Sequence, residues 1–530
     1  MGESQSPRAV SRSRKLRRFA ARLLVLAAVL VALAGVMVLI WSHSATREWQ
    51  RVKAQIEADG ETFDLMKLLP SAPADAENFC AIPELKDVTA KLDDDPNTSA
   101  PEMPRKASGP LVEVWKPDNG RPGTGDGPRQ GVAANSSEMA AYFRKTKFIE
   151  LPPTSDDPAR DILAAIGVQH PEVAALTAAI GRSKSQITPA FAERRWTVPF
   201  IAQRHTQWST VTNAGNILRI QALAAIGAGN KDITRSDIVA LLKLSEAAGQ
   251  EPFLLSYIHS VNLEKAVHHV LWEALRAGVL SDEILAEVLQ ELSKHDGRDR
   301  LLYALRTELI LNVDHLEHLR DEHREETLAA FGSGTGWISR LISRLLPAGV
   351  FDRNASFYCS ELYRLAIRPL KTEGFPSVVG ELHVLERVAH HDCHASGNPF
   401  REVTVGVAAR LLPTTFSIVR KGAVAASTHD QAMTAIALER FNLQHHRYPT
   451  VLSELVPAFV PKLPLDTLSG IPLGYRRTED GRYMIWSAGF DGTDDNGKIG
   501  TSSKAVERLT YVEYTNYKGD WVWQYTPVHP

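Results

Sequence analysis

From Leu23 to Trp41 the chain runs for 19 residues without a charge, LLVLAAVLVALAGVMVLIW. A helix rises about 1.5 Å per residue, so this run nearly spans a hydrocarbon core of roughly 30 Å. Its twelve Leu, Ile and Val residues favour insertion by about 4 to 7 kcal/mol on the translocon scale. Trp41 stands where an interfacial aromatic belongs. Arg8, Arg12, Arg14, Lys15, Arg17, Arg18 and Arg22 precede the run, against Arg47, Arg51 and Lys53 after it. The positive-inside rule then holds residues 1–22 in the cytoplasm and sends the bulk of the chain across. A cleaved signal peptide is the competing expectation. It is disfavoured because the run exceeds a usual signal core and His43 occupies a position where a small residue is wanted before Ala45. The expected location is the inner (cytoplasmic) membrane, single-pass, with residues 23–41 in contact with lipid.

The remaining 489 residues suffice for a sizeable core. Lys+Arg number 60 and Asp+Glu 62, a balance that makes nucleic acid an unexpected partner. Cys80, Cys359 and Cys393 allow one disulfide in an oxidising compartment but no disulfide framework.

The pattern predicts a mainly α fold in sequential parts. Residues 42–156 read as a helix leaving the membrane, through Trp49, Val52, Ile56 and Leu65, followed by a Pro/Gly-rich loop region. Residues 157–436 read as a multi-helix domain. Asn213–Gly227 places Ile217, Ile220 and Leu223 on one face. Asp237 is expected to cap a helix carrying Val239, Leu242 and Leu244. Leu280 and Leu285 form a hydrophobic staple around Ser281. Further helices are expected over 299–331, 336–346, 355–367, 377–394 and 404–446. Residues 437–530 change to a small α+β module, with strands at Leu473–Arg477 and Tyr483–Ser487 around a Glu479-Asp480-Gly481 turn. Val506–Tyr514 and Trp521–Tyr525 are candidate further strands.

Within that module four elements follow one another: Leu438-Glu439-Arg440-Phe441, Arg447-Tyr448-Pro449, Leu463-Pro464-Leu465-Asp466 and Ser487-Ala488-Gly489-Phe490-Asp491-Gly492. Together, Ala437 to Gly497 resembles the C-terminal part of the type II secretion major pseudopilins. Phe441 stands for that family's Tyr, and Thr467 for its Pro. No prepilin-peptidase site precedes Leu23, so the resemblance implies a carried pseudopilin-like module rather than a pilin subunit. The layout is also similar to a group of envelope proteins of planctomycete- and verrucomicrobium-like bacteria, through Trp49, Gly60-Glu61, Asn78-Phe79, Glu251-Pro252 and Trp272-Glu273. That likeness implies architecture and location.

Two constellations carry metal chemistry. His383, Glu386 and His390, with His394 beyond, share a helical stripe and offer zinc-type ligands, although one helix cannot bring all four to one ion. A polar, solvated face is the plainer expectation, as it is for His315 with His318 and for His268 with His269. Asp491, Asp494 and Asp495 sit on a Gly-containing loop suited to calcium. The pseudopilin resemblance implies calcium there as well, while a solvated acidic turn is the simpler alternative. The Gly332–Gly336 run lacks the Lys-Ser/Thr of a phosphate loop. No serine-nucleophile elbow occurs.

The expected function is therefore a non-enzymatic, membrane-anchored scaffold or binding and assembly factor with an envelope protein partner. Alternatives are a metal-dependent hydrolase using His383, Glu386 and His390, or a glycan- or solute-binding protein using Tyr511, Tyr514, Tyr517, Trp521, Trp523 and Tyr525.

Overall fold

The structure, a computed structural model, describes residues 7–85, 127–128, 131–153, 156–187, 205–321, 324, 337–387, 399–500 and 519–525. It is mainly helical, with a small antiparallel sheet near the C-terminus. The described chain begins with α1 (Pro7–Ala58), which contains the apolar run. Every side chain from Phe19 to Ile40 is exposed, and this stretch is long and apolar enough to cross a membrane. The helix expected to leave the membrane and run through Leu65 ends earlier, at Ala58, and Gly60 beyond it takes a positive φ of 86°. Leu65–Lys67 forms only a short turn of 3-10 helix behind its Asp64 cap.

Residue contacts divide the chain into two compact units that are not sequential. One comprises Met1–Phe63, Leu311–Glu361 and Ala389–Leu412; the other comprises Asp64–Ile310, Leu362–Val388 and Pro413–Pro530.

In the larger unit, α2 (Ser136–Thr146), α3 (Pro158–Gln169), α4 (Pro171–Ala178), α5 (His205–Gly227), α6 (Lys231–Gly249), α7 (Leu254–Ala277) and α8 (Asp282–Leu292) follow in order. Their starts are chemically marked. Asn135 accepts from Ser137 and Glu138 N–H groups, and Asp157 accepts from Arg160 N–H before Pro158 at the first helical position. The α6 cap is Asn230, accepting from Ile233 N–H, so Asp237 lies inside the helix rather than at its start. There it is buried and accepts from Gln221 Nε2 at 3.2 Å. Leu280 and Leu285 both enter the main core around the Ser281 cap, as the staple requires. Also present are α9 (Gly297–Asp321), α10 (Trp337–Leu345), α11 (Ala348–Leu362), a π turn (Tyr363–Ile367), α12 (Arg368–Thr372), α13 (Phe375–Arg387) and α14 (Pro399–His445). Pro413 lies inside α14, where the chain passes from one unit to the other.

The sheet has the order β1 (Gly474–Arg477), β2 (Tyr483–Ser487), β3 (Trp521–Trp523), all antiparallel. Side-chain alternation along β2 sends its two faces to different cores. Tyr483 and Ile485 join the main helical core with Trp523 and Tyr525, while Met484 and Trp486 pack with Val522. The module is thus built into the helical core. Trp272 on α7 donates its indole N–H to Gln524 O at 2.8 Å and stacks on Tyr525 at 5.8 Å. Gly474 pairs opposite Trp486, and a Cβ there would lie 2.1 Å from the indole ring. Val506–Tyr514 and the Gly332–Gly336 run lie outside the described residues.

In the smaller unit α1 is tied down immediately beyond the apolar run. Gly349 N–H donates to Ser42 Oγ at 2.8 Å, and Thr46 Oγ1 donates to Asp352 at 2.5 Å. Asp352 also takes Arg320 Nη1 at 2.7 Å. Farther along α1, Trp49 is fully buried against the edge of Phe63.

Candidate functional site

The site with most chemistry lies inside the larger unit, where α7 runs buried through the core. Glu264 and His268 are one turn apart on α7 and so share a face. The facing segment of α14 contributes His429, and α9 contributes Arg300. Glu264 and His268 are 4% and 2% exposed, so every polar atom here has to find its partner within the protein.

Arg300 is the organising cation. Its Nη2 donates to Glu264 Oε2 at 2.6 Å, and its Nη1 donates to Ser260 Oγ at 3.0 Å and Ser245 Oγ at 3.1 Å. The two serines brace each other across α6 and α7, each hydroxyl donating to the other's carbonyl at 2.8 and 3.0 Å. Gly249 leaves room for this arrangement, since a Cβ would meet Arg300 Cδ at 3.0 Å and Ser260 Oγ at 3.1 Å.

The other carboxylate oxygen faces the imidazoles. Glu264 Oε1 lies 3.1 Å from His429 Nδ1 and 3.9 Å from His268 Nε2. The rings meet edge-on with centroids 5.8 Å apart. Neither ring nitrogen of His268 has a hydrogen-bond partner, and His429 Nδ1 lacks the alignment of a hydrogen bond. Burial alone would raise the Glu264 pKa, but the Arg300 guanidinium and the adjacent imidazoles outweigh it and hold the carboxyl well below the usual range. Burial pushes His268 down to about 3, so its imidazole is neutral. Ligand atoms of Glu264, His268 and His429 all lie within 4.8 Å of one another. Two imidazoles and a carboxylate are a donor set suited to a zinc-class divalent ion. An arginine on the second carboxylate oxygen would orient the ligand.

Arg300 also lines a cleft of about 680 Å³ between α6, α8, α9 and residues 180–183. The cleft carries mixed charge. Arg235 pairs with Glu287 through two nitrogens, Lys243 donates to Arg182 O at 2.7 Å, and Lys294 pairs with Glu291 at 2.6 Å. One guanidinium thus belongs both to the cleft wall and to the buried carboxylate–histidine group.

His383 and Glu386 lie on α13, but their side chains, like His390 and His394 entirely, fall outside the described residues. His315 and His318 lie on α9, and His323 is outside the described residues. His268 and His269 do not form a solvated face: they are 2% and 11% exposed at the side chain, because α7 is a core helix. Asp491 Oδ1 accepts from Thr493 N–H at 3.0 Å. Asp494 Oδ1 accepts from Asn496 N–H and from the Trp486 indole N–H, both at 2.8 Å. Buried Asp520 accepts from Asp495 and Gly497 N–H at 3.2 and 2.6 Å. Cys80 and Cys359 are both free and buried, which pushes both thiols up; Cys393 is outside the described residues. Trp521, Trp523 and Tyr525 are buried in the sheet and core, whereas Tyr511, Tyr514 and Tyr517 lie outside the described residues.

Sequence reading missed Glu264, Arg300 and His429. The Glu-x-x-x-His spacing of Glu264 and His268 was the available signal, but nothing local connects it to His429. No family model, no characterised protein and no solved structure matches the chain.

Proposed function

We propose that this chain is a single-pass protein of the inner membrane, with its N-terminus cytoplasmic and its helical bulk outside the cytoplasm. In our reading it works there without catalysis, as a scaffold or binding and assembly factor for an envelope protein. The observation that carries the anchoring is the bare surface of Phe19–Ile40 on α1, in a chain that elsewhere buries an extensive apolar core. A stretch so apolar in water would expose a patch far larger than soluble monomers tolerate, and lipid is the solvent that removes the cost. Fusing alkaline phosphatase after Pro530 tests the topology: the fusion is expected to be active, and activity only of a cytosolic reporter there would refute it.

Binding is assigned to the charged cleft beside Arg300, where an acidic and basic partner surface would find complementary groups. A photo-crosslinking residue at Lys294 is expected to capture one discrete envelope protein, with capture lost in Arg235→Glu. Absence of any such adduct in intact cells would remove the assignment. The pseudopilin-like reading of Ala437–Gly497 is supported by the turn after His445, the β1–β2 hairpin and the loop that follows it. Calcium at Asp491, Asp494 and Asp495 belongs to the same reading. Its support is the gathering of acids on one loop, whose backbone N–H groups at Asp495 and Gly497 are held by buried Asp520. Calcium-dependent melting abolished by Asp491→Ala is the expected result; melting indifferent to calcium refutes it.

One observation favours a metal-dependent alternative: both nitrogens of buried His268 lack partners. In that alternative Glu264, His268 and His429 hold the ion, leaving a coordination position for water or substrate. About one zinc per chain, lost in His429→Ala, is its expected signature in the purified full-length protein. Failure to retain zinc or cobalt after loading would eliminate it.

A further inference from the structure

Helix α10 has the sequence WISRLISRL, and its apolar side is turned the wrong way for a helix in water. Trp337 and Leu345 are 75% and 76% exposed, and Leu341 and Ile342 are about half exposed. Trp337, Leu341 and Leu345 follow at intervals of four and so form one stripe. Ser343, about half a turn around the helix from that stripe, is fully buried. Exposed Arg340 and Arg344 flank the stripe along one edge. A surface helix of a soluble domain does the reverse, burying the stripe and exposing its small polar residues.

The neighbourhood names the solvent that accepts such a face. Leu346 and Pro347 join α10 directly to α11. Leu346 and Trp41, the last residue of the apolar run, pack on the same small cluster of Leu319, Val350 and Phe351. Gly349 allows this approach, because a Cβ there would lie 2.5 Å from Ser42 Cα. No linker separates span from domain: side chains are bare through Ile40 and partly covered from Trp41. α10 is therefore held beside the point where α1 leaves the apolar phase. We propose that α10 lies in the headgroup–acyl boundary of the membrane that α1 crosses, with Trp337, Leu341, Ile342 and Leu345 in lipid and Arg340 and Arg344 among anionic headgroups. The contact gives the domain a second attachment point, which fixes its orientation on the membrane instead of leaving it to swivel on one helix. This rests on α1 being the anchor.

The test uses the full-length chain in vesicles of phosphatidylethanolamine and phosphatidylglycerol, with and without lipid brominated on its acyl chains. Bromine quenches tryptophans that touch the chains. Trp337→Phe and Trp41→Phe are each expected to remove a share of the quenchable emission, since both rings sit at the interface. Leu341→Asp with Leu345→Asp, on the exposed side, is expected to leave unfolding in detergent unchanged and to abolish quenching of Trp337. If Trp41 is quenched and Trp337→Phe changes nothing, α10 faces water or a protein and the proposal is overturned while the anchor stands. If neither tryptophan is quenched, α1 is not in the bilayer and both fail.

Discussion

Replacing Arg300 with leucine isolates what the buried charge pair does for this fold. The guanidinium makes its 2.6 Å contact with a carboxylate that is 4% exposed, and its removal takes away that carboxylate's strongest partner. Breaking a buried pair from one side costs about 3–5 kcal/mol, against a total stability of about 5–15 kcal/mol for a domain. The pH dependence gives the sharper signature. In the native protein the Glu264 carboxyl is held below its ordinary value of 4.5. Its contribution is therefore fully present above the unfolded pKa and is lost as pH falls through the folded one. Without Arg300, the largest influence that lowers the carboxyl is gone while burial still raises it, so the folded pKa moves up from its wild-type position. The pH-dependent stability gained between the folded and unfolded pKa values shrinks accordingly. Arg300→Leu should thus lose less stability on acidification than wild type does. Adding Glu264→Leu should recover most of the loss, because an apolar pair of similar volume replaces the ions. Urea unfolding of the full-length protein in detergent, followed by tryptophan emission at several pH values, measures all three variants. A loss below about 1 kcal/mol for Arg300→Leu, or a double variant less stable than the single one, would refute the reasoning.

Three further outcomes follow from particular contacts. With metal removed, His268→Leu should be neutral or stabilising, since it deletes two unpartnered buried nitrogens whose burial costs about 1–3 kcal/mol; marked destabilisation in the same unfolding assay would show that those nitrogens have partners. Glu439 accepts from Tyr448 Oη at 3.0 and 3.1 Å, and burial raises its carboxyl to about 7 from 4.5. Stability should therefore decline between pH 4.5 and 7, and Glu439→Gln should flatten that part of the profile; an unchanged slope would count against a protonated Glu439. Gly474→Ala should cost about 1–3 kcal/mol by overpacking, because the Trp486 ring it strikes is held by Asp494; melting within a degree of wild type would contradict that contact.

Much of the fold was legible in the chain because its signals are local. The Glu479-Asp480-Gly481 turn and the alternation after it located β2 at its observed ends, and β1 within a residue. The staple around Ser281 and the apolar spacing of α8 gave that helix. Asp237 misled because Asp is a common cap, whereas the true cap, Asn230, lies two turns earlier and the carboxylate is instead buried against Gln221. The conspicuous spacing of His383, Glu386 and His390 falls on side chains outside the described residues, and among the described residues the group with converging atoms takes one histidine from each of two helices far apart in the chain. The acids of the 491–497 loop were visible as a cluster, but buried Asp520, which holds that loop's backbone, was not.

Hydropathy, length and flanking charge marked the apolar segment of α1 from the sequence alone, because transfer into lipid depends on a segment's own composition. Helix and hairpin positions were similarly local, set by caps, turns and periodicity. Only the tertiary structure decided that Glu264, His268, His429 and Arg300 share one desolvated pocket, and that α10 shows its apolar face outward beside Trp41. Burial and charge coupling belong to sets of neighbours that the chain brings together from distant positions, and a residue's own type does not say who those neighbours will be.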